Sequence, residues 1–158
     1  MSAIKTNVMR ILDKEKSAYE VTTYDATDGK IDGERVAKKI GKVPEQVFKT
    51  LVARGHTESI YVFLIPVMEE LDFKRISKVT GEKSMDLLPL SELQKTTGYI
   101  RGGCSPIGMK KCFKTYIHHS ALELDCITFS GGKVGVQITM NPIALQAIIQ
   151  AEFENLIK

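Results

Sequence analysis

The run Phe48-Lys-Thr-Leu-Val-Ala-Arg54 is followed by the turn Gly55-His-Thr-Glu58 and by a second run, Ser59-Ile-Tyr-Val-Phe-Leu-Ile-Pro66. Both runs are rich in the β-branched and aromatic residues that favour strands, and the short turn between them suits a hairpin. The segment therefore predicts two strands that lie side by side and antiparallel. Pro44 stands just before them and predicts a single helical turn that leads into the first strand.

Helix and strand signals continue on both sides of this hairpin. Apolar residues at helical spacing predict an N-terminal helix over residues 4–16. Further helices are expected to start at Asp32, at Asp72, at a Ser91–Gln94 capping box and at Asn141-Pro142, and to end at Gly41, Gly81, Gly98 and Leu156. Strand-like segments occupy Tyr19–Tyr24, Tyr99–Arg101, Lys114–His118, Asp125–Phe129 and Val134–Thr139, with Ser130-Gly-Gly-Lys133 as a hairpin turn.

The order of these elements predicts the fold class. Several strands are adjacent along the chain, and the elements do not alternate as those of a doubly wound parallel sheet do. We therefore predict an α+β fold with a mostly antiparallel or mixed sheet that curls toward a barrel. The 158 residues contain no repeat, low-complexity tract or long linker, so a single domain over residues 1–158 is expected.

Composition excludes several classes of protein. Apolar residues make up 43% and charged residues 26% of the chain, which is typical of a globular protein in water. No apolar run reaches the roughly 18 residues of a membrane helix, and the N-terminus lacks the apolar core of a signal peptide. We therefore expect a cytoplasmic protein without membrane contact. Three cysteines with no Cys-x-x-Cys pair argue against a disulfide framework or a zinc site, and neither a metal nor a cofactor is expected.

Lys49 interrupts the first apolar run. Strand alternation puts it on the same face as Leu51 and Ala53 and opposite Phe48 and Val52. One of these two faces must be the core face. If it is the face of Lys49, the ammonium group must meet an acceptor or a ligand such as a carboxylate, phosphate or carbonyl group. The alternative is an edge lysine that protects the strand from aggregation.

The segment Gly98-Tyr-Ile-Arg-Gly-Gly-Cys-Ser-Pro-Ile-Gly108, here called the glycine loop, holds four of the chain's twelve glycines. Glycine lets backbone N–H groups approach a ligand closely, and proline stiffens the loop. Its spacing matches no phosphate-loop motif, and a strand-like segment follows it, so nucleotide hydrolysis is not expected. Cys104 and Ser105 could act as nucleophiles, although the sequence shows no base beside either.

Basic residues near the glycine loop are the best candidates for phosphate contacts. They are Arg101, Lys110 and Lys111. The formal net charge of +3 permits a nucleic-acid partner but does not require one.

With these features, the chain resembles the YbaK/EbsC family of bacterial Cys-tRNA(Pro) deacylases, which are free-standing relatives of the editing domain of bacterial prolyl-tRNA synthetase. The resemblance runs from about Thr6 to Phe153 and rests on four separated blocks in the family's order. The blocks are Thr23-Tyr24, Glu45-Gln-Val-Phe-Lys-Thr-Leu51, Thr97-Gly-Tyr-Ile-Arg-Gly-Gly-Cys-Ser-Pro-Ile-Gly-Met-Lys-Lys111 and Ser130-Gly-Gly-Lys133.

The resemblance implies a mixed, barrel-like sheet flanked by helices, with a site where the lysine strand meets the glycine loop. It assigns catalysis to Lys49, Gly102 and Gly103, with the two glycines facing the substrate carbonyl or the terminal ribose. It assigns substrate binding to Tyr24, Thr50, Ser105, Ser130 and Gln137. It also implies that no protein nucleophile is used, because the thiol of the substrate cysteine attacks the ester carbonyl and expels the tRNA.

Two positions depart from the family's pattern. Gln137 stands where members often carry an acidic residue, and Ile31 or Asp32 stands near an expected phenylalanine. Both positions line the family's pocket, so the amino acid removed is cysteine or another small residue such as alanine. The expected substrate is the acceptor end of an aminoacyl-tRNA, tRNA(Pro) first, with prolyl-tRNA synthetase as a possible further partner. The remaining alternatives are a non-catalytic module that binds tRNA or nucleotides and an accessory subunit that acts only through the synthetase.

Overall fold

The structure, a computed structural model, describes residues 5–158. Within them, five α-helices and eight β-strands follow one another irregularly. The helices are α1 (Asn7–Lys14), α2 (Gly33–Lys39), α3 (Phe73–Thr80), α4 (Leu90–Thr97) and α5 (Pro142–Ile149). The strands are β1 (Glu20–Thr23), β2 (Phe48–Gly55), β3 (Ile60–Pro66), β4 (Met85–Leu87), β5 (Lys114–His118), β6 (Ile127–Ser130), β7 (Val136–Met140) and β8 (Glu152–Glu154).

The strands form two sheets. The larger has the order β4-β2-β3-β5-β8, antiparallel from β4 to β3 and parallel from β3 through β5 to β8. The smaller, β1-β7-β6, is antiparallel. A parallel bridge between Val47 and Thr128 joins the chain just before β2 to β6. The predicted hairpin forms, and its register pairs Phe48 with Pro66.

Apolar side chains cover both faces of the larger sheet. On one face, Phe48 and Val52 belong to a cluster that includes residues of α1, α5 and the smaller sheet. On the other face, Ala53 and Phe63 pack with Ile76 of α3 and with the C-terminal segment. Both faces of β2 are therefore core faces, whereas the sequence predicted that only one of them faces the core. Lys49 lies at the start of the second face.

Helix caps form at most of the predicted positions. Asp32, Asp72 and Asn141 each accept a hydrogen bond from a backbone N–H in the first turn of α2, α3 and α5. Gly81 and Gly98 end α3 and α4 in the left-handed conformation, with φ of 77° and 89°. These local signals are confirmed because short side chains and glycine satisfy helix ends without help from distant residues.

Two helix boundaries were predicted wrongly. The Ser91–Gln94 capping box does not form, because α4 already begins at Leu90 and Pro89 precedes it without a side-chain cap. The last helix does not reach Leu156, since Gln150 adopts a left-handed conformation with φ of 53° and the chain turns into β8.

The N-terminal helix and the strands differ in smaller ways. Thr6 caps α1, and Ile4, which the predicted helix included, lies outside the described residues. Tyr99–Arg101 is not a strand, because the backbone turns there and the N–H of Gly103 donates to the carbonyl of Ile100 at 3.0 Å. Strands β4 and β8 were not predicted, since three residues are too few to show a period-two pattern.

The fold is α+β with a mixed larger sheet, as predicted. Within residues 5–158 the two sheets do not close into a barrel, and β4 and β8 remain the edges of the larger one. No helix in this part of the chain has the length and apolar character needed to cross a membrane.

Candidate active site

A cavity of about 520 Å³ opens where the start of β2 meets the smaller sheet. Its wall is drawn from residues 24–36, 47–51, 67–70 and 101–104, together with Ser130 and Gln137. The cavity thus lies between the loop after β1, the loop after β3, the glycine loop and strands β6 and β7. Strand β2, which carries Lys49, meets the glycine loop at this cavity.

Lys49 is half-buried, pairs with Ile65 of β3 and lines the cavity. Burial lowers the pKa of its ammonium group, and the carboxylates of Glu70 and Glu69 partly oppose that shift. The ion pairs of residues 5–158 do not include Lys49. On the other side of β2, the bridge to β6 is at Val47 and the pairing with β4 begins at Ala53, so Lys49 lies between these two contacts and lines the cavity.

Polar atoms without partners line the same cavity. The hydroxyl groups of Tyr24 and Thr50 are buried and have no hydrogen-bond partner within the described chain. Gln137 is only 6% exposed, and no side-chain hydrogen bond within residues 5–158 involves its amide. An unsatisfied buried polar group costs about 1–3 kcal/mol. The cavity is therefore suited to a ligand that carries several hydrogen-bonding groups.

The glycine loop brings Gly102, but not Gly103, to the cavity. Gly102 has a φ of +84°, and a Cβ added to it would lie 2.8 Å from Cδ1 of Ile31. Gly103 stands behind it, where a Cβ would lie 3.1 Å from the backbone nitrogen of Val134. Its N–H is already engaged by the carbonyl of Ile100. Gly103 therefore supports the turn that presents Gly102.

Within residues 5–158, neither candidate nucleophile of the glycine loop is hydrogen-bonded to a side chain that could act as its base. Burial raises the pKa of Cys104 to about 12, so its thiol is protonated at neutral pH. Ser105 is fully buried outside the cavity wall, and its Oγ accepts a hydrogen bond from the N–H of Ile107 at 3.4 Å. Among the described residues, none of those lining the cavity is a histidine. Nor do three or more His, Cys, Asp or Glu side chains of residues 5–158 gather as metal ligands would.

The remaining predicted residues fall at different distances from the cavity. Ser130 lines it, and its Oγ accepts a hydrogen bond from the N–H of Gly132 at 3.2 Å. Arg101 is exposed and lines it as well. Lys110 instead donates to the carbonyl of Lys95 at 3.1 Å. Lys111 lines a separate cavity of about 170 Å³ on another part of the surface.

Sequence reasoning missed the acidic part of the wall, which includes Glu34, Glu69 and Glu70. A signal for two of them was present in the hairpin. The strands of the predicted hairpin are antiparallel, so the residues that follow the second strand lie near the start of the first, and the structure pairs Phe48 with Pro66 there.

Known proteins resemble this chain in sequence and in structure. Residues 30–148 match the family described as the aminoacyl-tRNA editing domain. A protein of Enterococcus faecalis (strain ATCC 700802 / V583), named "Putative Cys-tRNA(Pro)/Cys-tRNA(Cys) deacylase EbsC", is 40% identical over 149 residues, which cover 94% of this chain and 91% of the relative.

Two solved structures share the fold. The crystal structure of "a putative trans-editing enzyme for prolyl tRNA synthetase" aligns with a TM-score of 0.82 at 21% identity, over 97% of this chain and 98% of the other. That of the "hypothetical protein APE2540" aligns with a TM-score of 0.88 at 16% identity, over 97% and 100%. The resemblance drawn from the four sequence blocks is confirmed: the chain belongs to the aminoacyl-tRNA editing domain family, of the YbaK type.

Proposed function

We propose that this protein is a trans-editing enzyme that removes cysteine from mischarged tRNA(Pro). Membership of the editing-domain family makes the reaction the cleavage of an aminoacyl ester on a tRNA. The similarity to the Enterococcus relative supports cysteine as the amino acid and tRNA(Pro) or tRNA(Cys) as its carrier. The observation that carries the proposal is a cavity that brings Lys49 and Gly102 together without an activated protein nucleophile.

The chemistry that fits such a cavity is attack by the substrate itself. The substrate thiol gives up its proton, its sulfur bonds to the ester carbonyl carbon, and the bond from that carbon to the ribose oxygen breaks. The ribose oxygen leaves with a proton, so the products are free tRNA and a cysteine thiolactone, which water opens to cysteine. Thiol and carbonyl belong to one small group, so correct orientation can supply much of the rate.

Backbone and side chains have separate roles in this mechanism. The N–H of Gly102 donates to no backbone carbonyl within residues 5–158 and is free to stabilise the oxyanion, a contribution of about 3 kcal/mol where such donors are removed elsewhere. The ammonium group of Lys49 attracts the departing ribose oxygen or the terminal phosphate. Tyr24, Thr50 and Gln137 offer hydrogen bonds to the aminoacyl and ribose groups.

The partner assignments follow from the substrate. Arg101 is the cavity-lining cation best placed for a phosphate of the tRNA end, while Lys110 and Lys111 lie farther from the cavity and would meet more distant phosphates. We place the protein in the cytoplasm, where aminoacyl-tRNA is made and used. Prolyl-tRNA synthetase is the enzyme that would supply mischarged tRNA(Pro).

The proposal is tested by incubating the protein with a panel of aminoacyl-tRNAs, with and without prolyl-tRNA synthetase. We expect loss of Cys-tRNA(Pro) while Pro-tRNA(Pro) stays intact. Preferential loss of Ala-tRNA(Pro) would make alanine the amino acid removed. Loss only in the presence of the synthetase would identify an accessory subunit. No loss of any species would overturn the proposal and leave a non-catalytic tRNA-binding module.

A further inference from the structure

The acidic part of the cavity wall is not explained by ester cleavage. Asp32, Glu34, Glu69 and Glu70 line the cavity, against the two cations Lys49 and Arg101. The end of a tRNA brings phosphates, which carboxylates repel. A carboxylate of this wall that has no partner in the protein is suited to a positive group of the substrate.

Three of the four carboxylates are engaged or exposed. Asp32 caps α2, and its Oδ1 lies 3.5 Å from Nε of Arg35. Glu70 is exposed and pairs with Lys158 at 3.3 Å. Glu34 is exposed in the first turn of α2, where a carboxylate complements the helix dipole. These side chains have roles that do not require a ligand.

Glu69 differs from them. It is half-buried, and its N–H donates to the carbonyl of Pro66 at 3.0 Å, which fixes its backbone close to the start of β2. Within residues 5–158 its carboxylate joins no ion pair and accepts no hydrogen bond, although its charge acts on Lys49. Glu69 and Lys49 thus hold opposite charges at one cavity without pairing with each other.

A separate observation points to a ligand in the same cavity. Gln137 is more than nine-tenths buried at its wall, and its amide has no hydrogen-bond partner within the described chain. The buried hydroxyl of Tyr24 is in the same situation. Buried hydroxyl groups are normally satisfied, and a substrate bound in the cavity could form hydrogen bonds with both Tyr24 and Gln137.

We propose that Glu69 binds the free α-ammonium group of the aminoacyl ester, so that the enzyme selects aminoacyl-tRNA over N-acylated tRNA such as peptidyl-tRNA. The inference rests on the proposed function and names a recognition element of the same site. The α-ammonium group is one carbon away from the ester carbonyl. An ester held with its ammonium at Glu69 can therefore direct its ribose oxygen or terminal phosphate toward Lys49.

The test compares the deacylation of Cys-tRNA(Pro) with that of its α-hydroxy analogue, in which a hydroxyl replaces the amine at nearly the same size. The proteins are wild type, Glu69→Gln, Glu70→Gln and, as a matched charge control, Glu123→Gln, which changes an exposed carboxylate outside the cavity wall. We expect wild type to prefer the amine at least about 10-fold in kcat/KM, because a charge-assisted hydrogen bond is stronger than a neutral one.

Glu69→Gln is expected to lose that preference and to process the α-hydroxy analogue as wild type does, while Glu123→Gln keeps the preference. Thermal unfolding checks that each variant is folded. A preference that survives in Glu69→Gln, or that is lost in Glu70→Gln instead, overturns the assignment.

Binding of a non-cleavable amide analogue of the cysteinyl-adenosine end separates this inference from the proposed function. Glu69→Gln should bind the amine form about 10-fold more weakly than wild type does, and the hydroxyl form equally well. This result supports the ammonium site even where no ester is cleaved. Equal binding of the amine form by both proteins overturns it.

Discussion

Gly102 is held in place by two separate constraints. Its φ of +84° is a conformation that residues with side chains rarely adopt, and a Cβ would meet Cδ1 of Ile31 at 2.8 Å. Gly41 has a similar φ of +70°, but nothing lies within 4 Å of its Cβ position. Alanine variants at these two positions therefore separate the effect of backbone strain, which both share, from that of the contact at the cavity, which only Gly102 has.

We expect Gly102→Ala to lower kcat/KM for the aminoacyl ester at least about 10-fold, because the methyl group would displace the cavity wall at Ile31 and with it the N–H proposed to stabilise the oxyanion. The left-handed conformation should also cost about 1–2 kcal/mol and lower Tm by several degrees. Gly41→Ala should show the loss of stability without the loss of activity. An equal loss of activity in both variants would assign the effect to backbone strain alone.

Several residues were placed correctly at the cavity from the sequence, and others were not. Lys49 and Gln137 line it, whereas Ser105 does not, because its hydroxyl is turned inward to the N–H of Ile107. Gly103 was expected to face substrate, but a turn already uses its N–H. Residue type and order indicate which loop forms a site. They do not show which way each member of the loop faces, since that depends on contacts within the loop. The catalytic and binding roles of these residues stay predictions.

At the scale of elements, Lys39 ties the loop after β1 to α2. Its Nζ donates to the carbonyls of Asp25 and Lys30 at 2.6 and 3.0 Å and to Oδ1 of Asp28 at 2.8 Å. It also lies 5.6 Å from the centre of the Tyr24 ring. Because this loop continues into the cavity wall, we expect Lys39 to act as a positioning residue for the site.

Lys39→Met should therefore raise KM for the aminoacyl-tRNA about 3- to 10-fold with a smaller change in kcat, since three charge-assisted hydrogen bonds are lost. Amide hydrogen exchange over residues 25–31 should become faster. The matched control Lys38→Met changes the exposed neighbour on α2 and should leave both measurements unchanged. Unchanged exchange in Lys39→Met would mean that other contacts hold the loop.

The turn of the β2–β3 hairpin is fixed by a carboxylate from outside it. Glu82 accepts hydrogen bonds from the N–H and Oγ1 of Thr57, at 3.0 and 2.6 Å, and from the hydroxyl of Tyr61 at 2.6 Å. These hydrogen bonds, led by the one from the Thr57 hydroxyl, lower the pKa of Glu82 below its ordinary value of 4.5. When folding lowers the pKa of a carboxyl group, the ionised group stabilises the fold at pH values above its ordinary pKa. This contribution is lost as the pH falls through the folded-state pKa.

We expect Glu82→Gln to have a lower free energy of unfolding than wild type at neutral pH, measured by urea denaturation. The difference should shrink as the pH falls below 4.5, because protonation weakens the same hydrogen bonds in wild type. A difference that stays constant with pH would contradict a role for the charge.

The elements that the sequence predicted well are those with local causes. Asp72 and Gly81 bound α3 through contacts within a few residues, and the apolar runs of the hairpin pair with each other. Strand β8 forms only because β5 is there to pair with it in parallel. Elements that depend on a distant partner leave little trace in their own residues.

At the scale of the whole molecule, the cavity exists because two sheets meet at one place. The Val47–Thr128 bridge and a hydrogen bond of 3.4 Å from the Gln46 amide to the carbonyl of Cys126 join segments about 80 residues apart. Hydrophobic periodicity carries no information on such a meeting. The resemblance to a known family carries that information, since it implies that the lysine strand lies beside the glycine loop.

The central step of the proposed reaction is the attack by the substrate thiol while Lys49 positions the ester. The most direct test measures deacylation of Cys-tRNA(Pro) and Ser-tRNA(Pro) by wild type and by Lys49→Ala, with circular dichroism and thermal unfolding to show that the variant is folded. Serine keeps the shape of the substrate but replaces the thiol with a much weaker nucleophile. We predict that wild type cleaves the cysteine ester and leaves the serine ester at its spontaneous rate, and that Lys49→Ala leaves both at that rate. Comparable cleavage of the serine ester would contradict attack by the substrate thiol, and wild-type turnover by folded Lys49→Ala would contradict the role of Lys49.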